Sequence, residues 1–364
     1  MESLRATGDE QHPMRLSPRE LAVVGVLGLV LLAILPRIPF RPKAADVPAD
    51  YRIPFALSNR YEIYQRFTTL ASSQYSVLLL GDSVMWGQCA HQNQTLSHHL
   101  NALAGEKRFV NGGLDGMHPV ALAELIEHHA PGIQNKTVLL HFDPLWLMSA
   151  DAWPMSEEKI LANRPGLLPR LAASFSGSVR KQVAAAVRKA WAKTPLRDWG
   201  EALADAQIDF LAWSLDHPYE NPMKAISSAL PPSEDRPGIH FDVWNARSTP
   251  VEDTPWLPLR DSPQWAAFER LIDLLQVREN RVLVLVGPMN VHMMSPAVRS
   301  GYDEILKQVE SRLRGADVPY VIVPLLRSEH FGDICHPLGA GYEDLARELL
   351  RTQGTRLVGK EQPK

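Results

Sequence analysis

The chain has 364 residues, 45% of them apolar, enough to bury a core in one large domain or two small ones. Its 38 basic and 41 acidic residues leave a formal net charge of −3, which excludes a global field that would draw in nucleic acid. Only two cysteines occur, Cys89 and Cys335, with no C-x-x-C or Cys/His ligand spacing, so a structural zinc site is not expected.

In chain order, a polar tail (1–20) leads into fifteen strictly apolar residues, Leu21 to Leu35. A membrane span needs roughly 20 apolar residues. Pro36, Ile38, Pro39 and Phe40 extend the run, so 21–40 reads as a membrane anchor. A cleaved signal peptide is the competing reading. The long polar lead, and the first small-residue pair only at Ala44-Ala45, favour an uncleaved anchor. Arg5, Arg15 and Arg19 precede the run and Arg37, Arg41 and Lys43 follow it, so charge does not set its orientation.

A Pro-rich linker and leading helix (41–70) come next. Ser76 to Leu80 is a short apolar run with the look of a buried parallel strand, and a helix should follow it. Lys107 to Val110, Thr137 to His141, Val282 to Val286 and Tyr320 to Val323 repeat the strand signal. Pro119 to His129, Ala297 to Leu313 and Tyr342 to Leu350 read as helices. This alternation predicts an α/β three-layer sandwich around a parallel sheet. The sheet domain spans 71–355 and is discontinuous, formed by 71–150 and 276–355; a helical and Pro-rich insertion fills 151–275, and 356–364 is a tail.

Within the insertion, Ser178 to Lys193 and Trp199 to Leu215 read as helices. The first carries Arg180, Lys181, Arg188, Lys189 and Lys193, either as a solvated face or as a surface that meets anionic lipid or polymer. Eight of the nine tryptophans (Trp146, Trp153, Trp191, Trp199, Trp213, Trp244, Trp256, Trp265) fall between 146 and 265. They form the core of this cap or stack on sugar faces, the former being the preferred reading.

Two motifs carry chemistry. Gly81-Asp82-Ser83 closes the first strand, where α/β folds place their ligands. A serine there projects its hydroxyl into the crevice, and its own N–H, at a helix start, is placed to meet a developing oxyanion; the plain alternative is an N-cap. Asp333-Ile334-Cys335-His336 puts a carboxylate and an imidazole on one turn before the last helix. A serine hydroxyl is a weak nucleophile, so a histidine must take its proton and a carboxylate must orient that histidine.

VLLLGDSVMWGQ, NGGLDG and DICHP, in this order and spacing, resemble the first, second and last sequence blocks of the SGNH/GDSL hydrolase superfamily. The resemblance covers the two flanking thirds of the chain. It implies a flavodoxin-like sandwich, Ser83 as nucleophile, Asp333 and His336 as its partners, and an oxyanion hole using the Ser83 N–H and Gly113. The family's third block, G-x-N-D, is replaced by His141-Phe142-Asp143-Pro144. Asn290, ending Gly287-Pro288-Met289-Asn290 after the fourth strand, is then the candidate third oxyanion donor, with His141 the other.

The resemblance further implies an esterase or O-acyltransferase, with no cofactor, of the kind that moves short acyl groups such as acetyl on a cell-envelope polysaccharide. The expected partners are an acylated glycan or lipid substrate, a membrane-bound acyl donor protein, and the membrane itself through the N-terminal helix. The catalytic domain is expected outside the cytoplasmic membrane, in the periplasm or beyond. Two alternatives stay open: a non-catalytic polysaccharide-binding or assembly protein, and a lysophospholipase-like lipid esterase. Cys89 and Cys335 either pair, bracing the last block against the nucleophile helix, or stay as reduced thiols.

Overall fold

The computed structural model describes residues 17–34, 46–54, 61–148, 230, 233, 240–246 and 252–358. The helices expected at 178–193 and 199–215, and Trp153, Trp191, Trp199 and Trp213, lie outside the described residues. The chain divides into two compact units, Met1–Pro42 with Val183–Ile226, and Lys43–Gln182 with Ser227–Lys364.

In the first unit the described element is helix α1 (Pro18–Ile34). It opens on a reciprocal cap, in which the Ser17 N–H donates to Glu20 and the Glu20 N–H donates to Ser17 Oγ. Its 17 residues rise by roughly 26 Å at 1.5 Å each. Among the described residues no helix is long and apolar enough to cross a membrane.

The second unit is α/β. Helix α2 (Tyr61–Gln74) precedes strand β1 (Val77–Leu80), which is followed by one turn of helix, α3 (Ser83–Trp86), and then α4 (Leu96–Ala104). Strand β2 (Phe109–Asn111), helix α5 (Pro119–His129) and strand β3 (Thr137–Phe142) complete the first half. After the insertion come α6 (Pro263–Val277), β4 (Arg281–Val286), α7 (Pro296–Gly315), β5 (Tyr320–Ile322) and α8 (Gly339–Val358). All neighbouring strands pair in parallel, in the order β2-β1-β3-β4-β5. The direction of winding reverses between β1 and β3, and doubly wound sheets open their ligand crevice at such a reversal.

Side chains alternate along each strand, so two cores form. Leu78, Leu80, Val138, Leu140, Val282 and Val284 pack on one face with Phe67 of α2, Leu122 of α5 and Phe268 of α6. Val77, Leu79, Leu139, Leu283 and Leu285 pack on the other with Leu100 of α4 and Leu345 of α8. Both faces of β1 and β3 are therefore buried, which is why these strands read as unbroken apolar runs.

Two segments behave differently from their composition. Residues 46–54 read as linker, yet Val47, Ala49, Tyr51 and Ile53 are buried in the first core, and the Tyr75 hydroxyl donates to the Val47 carbonyl. Helix α6 straddles the expected boundary at 275, but Trp265, Phe268 and Leu271 on it are buried in that same core, with Trp265 edge-on to Phe142.

Gly113 follows β2 with its Cα against α3, and a Cβ there would collide with the Trp86 amide nitrogen and the Met85 backbone. Those atoms are fixed in helix, so they cannot give way. Gly113→Ala should therefore cost about 1–3 kcal/mol, as overpacking does, in denaturant unfolding. Gly315→Ala, whose added methyl would meet nothing within 4 Å, should be close to neutral.

Candidate active site

Gly81 and Asp82 turn the chain from β1 into α3, so Ser83 follows the C-terminal end of β1, beside the reversal of winding. Asp82 is the N-cap and accepts the Val84 N–H at 3.1 Å. Gly87, at φ 89°, ends the helix after one turn. Arg52, almost wholly buried, holds this short helix down: its Nη1 donates to the Gly87 and Ala90 carbonyls at 2.9 Å each, and its guanidinium lies 4.3 Å over the Trp86 ring.

From the other end of the chain, residues 330–338 fold back on themselves. The Gly332 N–H donates to the His336 carbonyl and the Leu338 N–H to the His330 carbonyl, closing the loop beneath α8. Inside it, Asp333 Oδ1 accepts the Cys335 and His336 backbone N–H groups at 3.0 and 2.9 Å. The loop brings Asp333 to His336 Nδ1 at 2.7 Å, and His336 Nε2 to Ser83 Oγ at 2.8 Å. A carboxylate only accepts, so Nδ1 carries the proton and the Nε2 lone pair faces the serine hydroxyl.

Charge reinforces this arrangement. Burial favours the neutral acid at Asp333, but hydrogen bonds from the His336 ring and from the Cys335 and His336 N–H groups hold its carboxyl below the usual range. Burial likewise works against an imidazolium at His336. The Asp333 hydrogen bond and charge outweigh it, with Asp143 and Asp82 adding to the effect, and raise its basicity above the ordinary histidine value.

The other residues named as oxyanion donors have partners in the fold. The Gly113 N–H donates to Asn111 Oδ1 at 2.9 Å. Asn290 is fully buried; its Nδ2 donates to the Asp333 carbonyl at 3.1 Å and its backbone N–H to the Ile334 carbonyl at 2.7 Å. Asn290 thus ties the Asp333 loop to the end of β4. His141 is satisfied at the sheet end, its Nδ1 3.1 Å from Asp82 Oδ1 and its Nε2 2.9 Å from the Gly287 carbonyl. Cys89 and Cys335 are thiols, not a disulfide.

Next to the nucleophile lies a cluster of buried charge, Asp82, His141 and Asp143. Burial opposes ionisation of both Asp82 and His141, yet each favours the charged form of the other; Asp82 is held below the usual carboxylate range and His141 above the usual imidazole range. Trp146 adds an Nε1–H donation to Asp82 Oδ2 at 2.8 Å. Asp143, at the end of β3, makes no hydrogen bond to such a cation. Burial and then the Asp82 charge outweigh the charges of His141 and His336 and push its pKa up to about 7, and among the described residues its Oδ2 has no hydrogen-bond partner.

No protein-family model matches the sequence, and a search of curated proteins finds no match. Function therefore has to be read from the site's own chemistry.

Two outcomes test the buried cluster. Asp82→Ala strips the acceptor from His141, Trp146 and Val84 together and leaves an unpaired buried histidine, at an expected cost of about 3–5 kcal/mol in chemical denaturation. For Asp143, the folded pKa of about 7 lies above the ordinary 3.8, so between these values the native state holds a proton that the unfolded chain has released. Its contribution to stability is thus lost as pH rises from about 4 to about 7 and is flat above. Asp143→Asn, which keeps the acceptor for the Leu145 N–H, should remove that decline when unfolding is compared at acid and alkaline pH.

Proposed function

We propose that this chain is a membrane-anchored serine esterase or O-acyltransferase of the SGNH/GDSL type, acting on short acyl esters of a cell-envelope polysaccharide. The observation that carries the chemistry is the continuous line Asp333–His336–Ser83, with contacts of 2.7 and 2.8 Å, at the crevice end of β1. A binding protein has no use for an imidazole lone pair aimed at a serine hydroxyl. The doubly wound strand order agrees with the flavodoxin-like sandwich that the resemblance implies.

In the first half-reaction Ser83 Oγ attacks the ester carbonyl carbon while its proton passes to His336 Nε2. The carbonyl oxygen becomes an oxyanion, for which the Ser83 N–H is the proposed donor. Collapse breaks the bond to the alcohol, which leaves with the proton from Nε2, and the acyl group stays on Oγ. In the second half-reaction a hydroxyl attacks the acyl-serine, gives its proton to Nε2, and Ser83 is regenerated when that proton returns to Oγ. Water as the attacking hydroxyl makes the enzyme an esterase; a glycan hydroxyl makes it an acyltransferase. Asp333 keeps Nδ1 protonated throughout and offsets the imidazolium charge.

The anchor reading rests on the apolar run in and after α1, of which 35–40 lie outside the described residues. With the catalytic unit on the outer side of the cytoplasmic membrane, the proposed partners are the acylated glycan and a membrane-bound acyl donor.

Purified protein should be labelled by a fluorophosphonate probe. Ser83→Ala should abolish labelling. His336→Ala should slow it by on the order of 10⁴-fold or more, as loss of the base does in serine hydrolases. A folded wild-type protein that does not label would overturn the proposal.

A further inference from the structure

Cys89 has no part in the chemistry above, yet the fold sets it against that chemistry. It follows α3 and the Gly87 turn and is half-buried, as is Asp333. Its sulfur, one carboxylate oxygen of Asp333 and one ring nitrogen of His336 all lie within 4.8 Å of one another. Gly332 leaves the room for it, since a Cβ at that position would come within 2.8 Å of Cys89 Sγ. The sequence shows no ligand spacing because the three groups come from two segments more than 240 residues apart, joined only by the tertiary fold.

We infer that Cys89, Asp333 and His336 form an inhibitory site for a thiophilic divalent cation of the zinc type. Thiolate, imidazole and carboxylate are the three protein donors that zinc takes, with water completing a tetrahedron in an open site. Donor-to-metal distances of about 2.0–2.3 Å put the donor atoms of a bound zinc roughly 3.3–3.8 Å apart, so the site closes by about 1 Å on binding. The Cys89 S–H loses its proton to solvent when the Zn–S bond forms.

Either mode of histidine ligation disables the base. If the metal takes Nε2, the lone pair that faces Ser83 Oγ is gone. If it takes Nδ1, the ring proton moves to Nε2, which then cannot accept from the serine. Asp333 is drawn from its orienting role in both cases. Zinc therefore switches the site off reversibly, through a cysteine that the reaction does not need. The inhibitory half of this inference rests on the serine-hydrolase reading; the binding half does not.

The test uses the full-length protein and cobalt(II) as a spectroscopic stand-in for zinc. Wild type and Ser83→Ala should develop a thiolate-to-cobalt charge-transfer band that zinc displaces and a chelator abolishes, whereas Cys89→Ala and Cys89→Ser should not. In parallel, zinc should suppress fluorophosphonate labelling of wild type and a chelator should restore it. In Cys89→Ala, labelling without metal should be unchanged. The zinc concentration for half-suppression there should rise by at least the roughly 10–100-fold that losing even an outer-sphere partner costs. No band in wild type, or a band that persists in both Cys89 variants, overturns the inference. Failure of labelling with the band intact overturns the hydrolase reading and leaves the metal site standing.

Discussion

A hydroxyl and an imidazole 253 residues apart in the chain meet at 2.8 Å only if two loops are each fixed to a fraction of an ångström. Everything distinctive in the second unit serves that meeting. Ser83 is set by the end of β1, a one-turn helix and the buried Arg52 that holds its last carbonyls. His336 is set by a loop whose own carboxylate accepts two backbone N–H groups, and Asn290 stitches that loop to β4 from behind. The Tyr342 hydroxyl, donating to the Val84 carbonyl at 2.6 Å, then locks α8 onto the nucleophile turn, so the two halves of the site cannot drift apart without breaking a buried bond.

The cost of this arrangement is a concentration of charge in a dry place. Asp82 and His141 satisfy each other, and Trp146 and the Gly287 carbonyl take up their remaining hydrogen-bonding capacity. At Asp143 burial and the Asp82 charge outweigh the nearby histidines, and it is held towards the neutral acid. Removing one member of a buried pair strands the other, which makes such a cluster a strong constraint on the sequence even where it contributes little net stability. Electrostatically it also matters to the reaction, because Asp82 and Asp143 both favour the cationic form of His336 that appears when Ser83 gives up its proton.

How much of this was legible in the sequence depended on range. Strands β1 and β3 were readable because parallel strands buried on both faces are apolar throughout, and Pro119–His129 was readable because Pro opens it and its apolar positions recur at helical spacing. Ser83, Asp333 and His336 were nominated by local motifs, and the fold brings them together. Gly113 was nominated as an oxyanion donor by the resemblance and Asn290 by its Gly-x-x-Asn motif, but a motif does not show partners, which in the fold are Asn111 Oδ1 for the Gly113 N–H and the Asp333 carbonyl for Asn290 Nδ2. Arg52 gave no signal, and His141, Asp143 and Cys89 were noticed without the neighbours they have in the fold, because those neighbours are distant in the chain. An arginine before a Pro-rich stretch looks like a solvated linker residue until Trp86 and two carbonyls surround it.

The central claim is that Ser83 becomes acylated with His336 as its base. Brief incubation with an activated acetyl ester, acid quench and peptide mass mapping tests it most directly. The expected result is a single acetyl adduct on the peptide bearing Ser83, missing in His336→Ala. An adduct confined to Cys89 or to surface lysines, or one on Ser83 that forms equally fast without His336, would contradict the account.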